Sequence, residues 1–368
     1  MASAEIADYP FTTIKPNLGV AYATRECVEK ELGLKCKPRN GLCINGTREI
    51  PINITDVAGL VPDAHLGRGM GNQFLSDLAG ASAFIQVVDL SGKTDIHGNP
   101  SQGSDPAEEI GAIRKEVAMW LAGIITKHIG ALSKRSDGEK ALVELLSGFN
   151  LKEEQVREAA EKSNLGTSQI SWDGEETYGF ADRLIEISKP TVVAANKLDL
   201  AEPGALEKLK KKLPGYTVVG CSGAIELALR KAAASGIIEY VPGAGGFKVK
   251  KSVEGEQKKA LEYMSGFIAK NNGTGVQSII NTIVFQVLGD IVVYPVEDEN
   301  KYTDHFGNVL PDALLVRKGT KAMELAETIH TDLAKSMLYA IDAKKKLRVG
   351  KDYVLKDNDV IKIVSAAK

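Results

Sequence analysis

The stretch TVVAANKLD, residues 191–199, decides the fold class. Its first five residues form a short apolar run, which predicts a buried strand of a parallel sheet. Asn196, Lys197 and Asp199 come directly after this run, at the carboxyl end of the strand, where ligands bind in open α/β sheets. An N-K-x-D string alone recurs by chance and also suits a surface helix cap, but its place after the strand favours a binding site.

Each of these three side chains suits the recognition of guanine. The Asp199 carboxylate can accept two hydrogen bonds, from the N1–H and the exocyclic amine of guanine, and adenine presents no such donor pair. Asn196 can hold the edge of the base, and the alkyl stem of Lys197 can cover the face of the ring. The string therefore predicts a guanine-nucleotide site.

Outward from this strand, the sequence predicts a doubly wound α/β sheet. The alternating segment 50–56 and the apolar segments 84–89 and 216–219 predict three further strands. Helical segments separate these strands, as in other doubly wound folds.

Two of the other strand ends also carry candidate site residues. Asp56 suits Mg²⁺, usually through a water, and Gly59 can offer its backbone N–H to a γ-phosphate, although an ordinary turn explains both. Ser222 and Gly223 follow the 216–219 strand, and small residues there let the backbone approach a guanine carbonyl. A helix N-cap by Ser222 explains that pair equally well.

A long helical stretch interrupts the predicted sheet. Asp105-Pro106-Ala107-Glu108 is a helix start, with an acidic N-cap, a proline at the first position and a glutamate three residues after the cap. Amphipathic segments follow near 138–148, 151–162 and 175–188. We therefore expect an α-helical insertion over residues 105–188, flanked by the two parts of a nucleotide-binding domain, residues 1–104 and 189–289.

The C-terminal part, residues 290–368, predicts a small α+β domain. A helix is expected at about 322–333, and strands are expected at 291–296, 313–316, 338–341 and 360–364.

Composition excludes several classes of protein. Lys and Arg total 46 and Asp and Glu total 48, so no overall charge attracts the chain to nucleic acid or lipid. No apolar run reaches the roughly 18 residues of a membrane span, and the N-terminus lacks a signal-peptide pattern, so we expect a cytoplasmic protein.

Cys27, Cys36 and Cys43 have spacings unlike those of structural zinc sites. Free thiols in a loop or hairpin are the favoured interpretation, and a metal or redox site is the alternative.

Taken together, the motifs resemble those of the Obg/YchF-type GTPases, over nearly the whole chain. Similar segments are DYPFTTIKPNLG at 8–19, which is like switch I, and DVAGLVPDAHLGRGMG at 56–71. The C-terminal blocks FGNV at 306–309, IHTD at 329–332 and VGKDY at 349–353 resemble a TGS domain, which is β-grasp-like. The chain keeps N-K-x-D, as the archaeal-type YchF branch does, whereas the YchF proteins that favour ATP alter it. The resemblance thus implies a P-loop-GTPase-like fold that prefers GTP.

The resemblance also implies roles for individual residues. Thr13 would be the switch I threonine that binds Mg²⁺, with Phe11 and Thr12 beside it, and Asp56 the second group on the metal. Gly59 would sense the γ-phosphate. The residues that would form the base pocket are Asn196, Lys197, Asp199, Ser222 and Gly223, where relatives usually have Ser-Ala in place of the last pair.

One expected motif does not occur in the 368 residues. Relatives have a strand and a G-x-P-N-x-G-K-[ST] loop before switch I, and no G-x-x-x-x-G-K-[ST] is present here. That loop supplies backbone N–H groups, a lysine and a hydroxyl to the phosphates and Mg²⁺. We expect that the true start lies upstream or that the sequence is a piece of a longer protein; a chain that evolved without the loop is the alternative.

Two functional hypotheses follow. The first is a slow Mg²⁺-dependent GTPase switch associated with the ribosome or with RNA, as the resemblance implies. Leu60 stands where many GTPases place the glutamine that orients water, so another group must act. His97 is one candidate and His65 another, although an exposed loop histidine is the favoured interpretation of each. The second hypothesis is an adaptor that binds RNA or protein through the TGS domain, where residues 344–348 form a basic run that a solvated turn also explains.

Overall fold

The structure, a computed structural model, describes residues 17–57, 78, 80–95, 99–101 and 103–366. Contacts divide the chain into two compact units. The first unit comprises Met1–Gly19 and Thr55–Ile279, and the second comprises Val20–Ile54 together with Ile280–Lys368. The second unit thus includes residues 20–54, which the sequence-based division assigns to the nucleotide-binding domain. No helix in the described part of the chain is long and apolar enough to cross a membrane.

In chain order, the strands are β1 (Asn17–Glu26), β2 (Cys43–Ile44), β3 (Thr47–Asp56), β4 (Phe84–Asp89), β5 (Thr191–Asn196), β6 (Thr217–Gly220), β7 (Ile238–Glu239), β8 (Lys248–Val249), β9 (Asp290–Pro295), β10 (Leu314–Arg317), β11 (Met337–Asp342), β12 (Leu347–Val349) and β13 (Asp359–Ser365). The α-helices are α1 (Glu29–Leu32), α2 (Pro106–Leu132), α3 (Gly138–Leu145), α4 (Glu153–Lys162), α5 (Gly174–Ser188), α6 (Ala205–Lys212), α7 (Gly223–Ala234), α8 (Gly255–Asn271), α9 (Val276–Asn281), α10 (Ala322–Ile329) and α11 (Thr331–Ser336). A π-helical segment, Thr282–Val287, continues α9.

The first unit contains a parallel sheet of order β4-β5-β6. Its central strand β5 is apolar because both of its faces are covered, and Val192 and Val193 are fully buried. Among the described residues, β4 has a neighbour on one side only. All three strands run in the same direction, so their carboxyl ends lie at one edge of the sheet, where Asp89 is in register with Asn196.

The helical insertion consists of α2 to α5 and has its own core. Asp105 caps α2 by accepting a hydrogen bond from the backbone N–H of Ala107, as the sequence predicts. Apolar side chains of all four helices pack together, among them Leu121, Leu142 and Phe180. Bidentate hydrogen bonds from the α2 residue Arg114 to Asp182 on α5 tie the first helix of the insertion to the last.

In the second unit, a mixed sheet of order β10-β9-β13-β11-β12 packs against α10. The central pair β9 and β13 is parallel and the other pairs are antiparallel, an arrangement that is β-grasp-like. The single helix expected at 322–333 is wrong, because it is two helices. His330 adopts an extended conformation between them, and its Nδ1 accepts a hydrogen bond from the N–H of Asp332 to begin α11.

Candidate functional site

The candidate site lies at the carboxyl ends of β5 and β6. Two backbone hydrogen bonds hold the two strand ends together, and a third joins the end of β6 to the turn at Thr274. The N–H of Cys221 donates to the carbonyl of Ala195 at 2.9 Å, and the N–H of Leu198 donates to the carbonyl of Cys221 at 3.0 Å. The N–H of Ser222 donates in turn to the carbonyl of Thr274 at 2.9 Å. The loops after the two strands therefore form one connected structure.

Asn196 links these two loops through its side chain. Its Oδ1 accepts a hydrogen bond from the backbone N–H of Gly223 at 2.9 Å and lies 3.8 Å from the Sγ of Cys221. With the carbonyl oxygen used in this way, the amide NH₂ is the group that can donate to a ligand. Asn196 thus supports the pocket from within the protein, a role that sequence reasoning does not assign to it.

Lys197 connects β5 to the end of β4. Its backbone is left-handed, with φ of 60°, and its Nζ lies 3.0 Å from Oδ2 of Asp89. Burial alone would raise the pKa of Asp89, but hydrogen bonds from Ser91, Thr94 and Lys197 outweigh burial and lower that pKa. Asp89 therefore stays ionised and fixes the ammonium end of Lys197, so that the alkyl stem spans the two strand ends.

Asp199 has a buried carboxylate oxygen without a protein partner. Its Oδ1 is shielded from solvent and has no hydrogen bond among the described residues. The backbone carbonyl of Asp199 accepts a hydrogen bond from the hydroxyl of Tyr263 at 3.3 Å, which helps to hold this turn in place. A buried, unpaired acceptor is costly, and a ligand that donates hydrogen bonds would satisfy it.

Ser222 and Gly223 begin α7. The fully buried Ser222 accepts a hydrogen bond from the N–H of Ile225 through its Oγ at 3.2 Å, so it is the N-cap that sequence analysis gives as the alternative. A Cβ added to Gly223 would lie 3.5 Å from Oδ1 of Asn196, which is an ordinary contact. The glycine at this position is therefore not required by packing.

A turn at Thr274 and Gly275, which the sequence analysis does not identify, supports the site from behind. The Oγ1 of Thr274 donates to the buried carboxylate of Glu226 at 2.6 Å. Gly275 has φ of +84°, and a Cβ there would lie 2.0 Å from the carbonyl oxygen of Gly220. Only glycine permits this approach, and the Gly-Thr-Gly string at 273–275 is the signal that could have revealed it.

A carboxyl group with a raised pKa lies near this edge of the sheet. Burial raises the pKa of Glu109, on α2, to about 7, and the neighbouring carboxylates of Asp89 and Asp95 add to the effect. The carbonyl of Glu109 accepts a hydrogen bond from the side-chain amide of Gln86 on β4 at 3.2 Å. The carboxyl group of Glu109 therefore titrates near neutral pH, close to Asp89, which binds the ammonium group of Lys197.

The structure brings together five of the candidate residues, namely Asn196, Lys197, Asp199, Ser222 and Gly223. Asp56 is exposed at the end of β3, where its oxygens could bind a hard cation. The remaining candidates lie outside the described residues: Phe11, Thr12, Thr13, Gly59 and His97, together with Leu60 and His65.

A parallel sheet with Asn-Lys-Leu-Asp and Ser-Gly at two adjacent strand ends defines a protein with the P-loop GTPase fold, here with a C-terminal TGS domain. Three family models match the chain: 50S ribosome-binding GTPase over residues 1–128, the G4 motif-containing domain of the YGR210-like Obg-like GTPases over residues 194–298, and the TGS domain over residues 306–365.

Individual proteins match over nearly the whole length. The GTP-binding protein MJ1332 of Methanocaldococcus jannaschii is 50% identical, with 99% of this chain and 94% of that protein covered. A crystal structure of a GTP-binding protein from Pyrococcus horikoshii has 39% identity and a TM-score of 0.78, over 95% of this chain and 93% of that one. The ribosome-binding ATPase YchF of Bacillus subtilis is 26% identical, with 98% and 92% covered. The chain belongs to the Obg/YchF family of GTPases, and its archaeal relatives fit the archaeal-type branch.

Proposed function

We propose that the chain is a guanine-nucleotide-binding switch protein that hydrolyses GTP slowly with Mg²⁺. The observation that carries the proposal is the buried Oδ1 of Asp199, which has no partner in the described part of the chain. It lies at a strand end whose loops are already fixed by Asn196 and Ser222. Guanine offers a carboxylate two adjacent donors, whereas adenine has only its exocyclic amine beside an acceptor nitrogen, so this unpaired acceptor favours a guanine base.

The names of the relatives support the nucleotide, with MJ1332 and the Pyrococcus horikoshii protein described as GTP-binding. The N-K-x-D string of this chain is intact, which agrees with GTP rather than ATP. Thr13 and Asp56 are the residues we propose for Mg²⁺, which would neutralise phosphate charge. Because Leu60 cannot hydrogen-bond water, we propose slow intrinsic hydrolysis assisted by a polar group such as His97.

Association with the ribosome or with RNA is part of the same proposal. It is supported by the family description 50S ribosome-binding GTPase and by the name of the Bacillus subtilis relative. The basic run of the TGS domain gives this part of the proposal no separate support, because its side chains have partners within the second unit. The pairs are Lys344 with Glu31, Lys345 with Asp342, Lys346 with the carbonyl of Glu299, and Arg348 with the ring of Tyr339. The adaptor hypothesis depends on the same basic run, so it has less support than the nucleotide-switch hypothesis.

The test is a nucleotide titration of the parent chain, Asp199→Asn and the control Glu202→Gln, whose carboxylate is exposed on the surface. Asp199→Asn should lose on the order of 2–4 kcal/mol of GTP affinity, because it removes the double acceptor. It should gain affinity for xanthosine triphosphate, which presents an acceptor where guanine has an amine. Equal GTP affinity for Asp199→Asn and the parent would remove Asp199 from the base pocket.

The titration needs a second arm because the 368 residues contain no G-x-x-x-x-G-K-[ST]. The same chain is compared with one in which a strand and a G-x-P-N-x-G-K-[ST] loop precede Met1. Charge-assisted hydrogen bonds of such a loop contribute about 1.5–3 kcal/mol each. The extended chain should therefore bind GTP at least about a thousandfold more tightly, and similar affinities would mean that another segment holds the phosphates.

A further inference from the structure

The three cysteines of the N-terminal region lie together with a glutamate in the second unit. The possible ligand atoms of Cys27, Glu29, Cys36 and Cys43 all lie within 4.8 Å of one another. The Sγ atoms of Cys27 and Cys36 are 4.0 Å apart, and the Sγ of Cys43 is 3.4 Å from Oε1 of Glu29. All four residues belong to the second unit, and the proposed function does not use them.

Local backbone contacts bring these distant positions together. The N–H of Cys27, just after β1, donates to the carbonyl of Gly46 at 2.8 Å. The N–H of Cys36 donates to Oε2 of Glu29 at 2.7 Å, and Cys43 pairs with Arg48 in the β2–β3 hairpin. The four donors therefore converge from a strand end, a short helix, a loop and a hairpin, which explains why their sequence spacing resembles no known zinc pattern.

The geometry points to a structural zinc site formed by Cys27, Glu29, Cys36 and Cys43. A zinc–sulfur distance of about 2.3 Å in a tetrahedron places two sulfur atoms about 3.8 Å apart, close to the separation found here. Three thiolates and one carboxylate are a closed four-ligand set, as structural zinc sites require. Thiolate ligands disfavour Mg²⁺ and Ca²⁺, which prefer oxygen.

Arg48 supplies the positive charge that such a set needs. Its side chain is buried, its Nη1 donates to Sγ of Cys36 at 3.5 Å, and its guanidinium also donates to the carbonyls of Leu310 and Pro311 at 3.1 and 2.8 Å. Three thiolates and a carboxylate carry more negative charge than a divalent ion cancels, and Arg48 offsets part of the excess. Through Arg48, the site would also be joined to the backbone of residues 310 and 311.

The experiment measures bound metal in the full chain, purified under reducing conditions from cells supplied with zinc. The parent should contain about one zinc per chain, and adding Co²⁺ to the metal-free protein should give a thiolate-to-cobalt charge-transfer band. Cys36→Ser and Cys43→Ser should each lower zinc affinity by more than about tenfold. Glu29→Gln should keep the charge-transfer band but release metal to a chelator faster, because three thiolates persist.

Two matched controls define the specificity. Cys221→Ser removes the buried fourth cysteine, which lies in the first unit, and Glu31→Gln changes an exposed glutamate on α1; both should keep the zinc content of the parent. A parent without zinc and without a cobalt band would overturn the proposal, and this measurement does not depend on any variant folding. Unchanged zinc affinity in both Cys→Ser variants would also overturn it. A disulfide between Cys27 and Cys36 in the chain purified from zinc-supplied cells would overturn it as well, because oxidised sulfurs cannot bind zinc as thiolates.

Discussion

The side-chain oxygen of Asn196 and the backbone N–H of Gly223 form a 2.9 Å hydrogen bond between the ends of β5 and β6. Asn196→Ala should remove this bond and expose the Gly223 amide to solvent exchange, whereas Asn196→Asp keeps an acceptor and should preserve it. The loss should cost about 0.5–1.5 kcal/mol of stability. Hydrogen–deuterium exchange at Gly223 and thermal unfolding test both expectations, and equal protection in the two variants would show that the bond does not hold the loop.

Two glycines near the same loops should differ strongly in their tolerance of alanine. Gly275→Ala places a methyl group 2.0 Å from the carbonyl of Gly220 at a φ of +84°, so we expect a loss of about 2 kcal/mol or more. Gly223→Ala meets only ordinary contacts and should change stability by less than about 0.5 kcal/mol. Denaturant unfolding compares the two, and a harmless Gly275→Ala would contradict the close approach of the turn to β6.

The raised pKa of Glu109 predicts a pH-dependent effect of one substitution. A carboxyl group whose folded-state pKa is about 7, above its ordinary value of 4.5, contributes stability that is fully present below pH 4.5 and is lost as the pH rises through 7. Glu109→Gln, which stays neutral, should therefore melt at a higher temperature than the parent at pH 8 and at nearly the same temperature at pH 5. Glu108→Gln, at an exposed neighbour, is the control. A difference between parent and Glu109→Gln that does not vary with pH would show that the carboxyl titrates normally.

Hydrolysis in a nucleotide-competent chain should depend on a histidine and not on Leu60. Leu60→Ala should change the rate by less than about twofold, since an aliphatic side chain offers no hydrogen bond to water. His97→Ala should lower kcat by at least about tenfold if it orients or deprotonates the water. His128→Ala, in the helical insertion, serves as the control for a histidine outside the site. An unchanged rate in His97→Ala would show that His97 is not the polar group, and His65→Ala would then be the next variant to measure.

Local signals in the sequence predict part of this structure well. The apolar runs at β4 and β5 predict the ends of both strands to within one residue, because a buried parallel strand has a short, uninterrupted apolar sequence. The start of α2 follows from Asp105 and Pro106, whose preferences are local. The clustering of Asn196, Asp199 and Ser222 is also predictable, since adjacent parallel strands end at the same edge of a sheet.

Features that depend on distant contacts are not predictable in this way. The Thr274–Gly275 turn approaches β6 only in the folded chain, and the cysteine cluster forms only when the β2–β3 hairpin closes over Cys27. Residues 20–54 pack in the second unit because Ile50 and Val28 share a core with Val292 and Tyr294. These contacts join segments more than 200 residues apart, so no local sequence pattern predicts them. The division at His330 depends on a single side chain that caps the next helix, within a stretch whose apolar periodicity is continuous.

Ser222 and Asp199 differ in how much of the fold depends on them, and this difference constrains how nucleotide preference can evolve. The hydroxyl of Ser222 caps α7 by accepting a hydrogen bond from the N–H of Ile225, so we expect a change of this side chain to alter both the fold and the proposed base pocket. The Oδ1 of Asp199 has no partner in the described part of the chain, so we expect its replacement to alter the proposed base recognition with little cost to the fold. Drift from guanine toward other bases is therefore expected to begin at position 199, leaving the Ser222 side of the pocket intact.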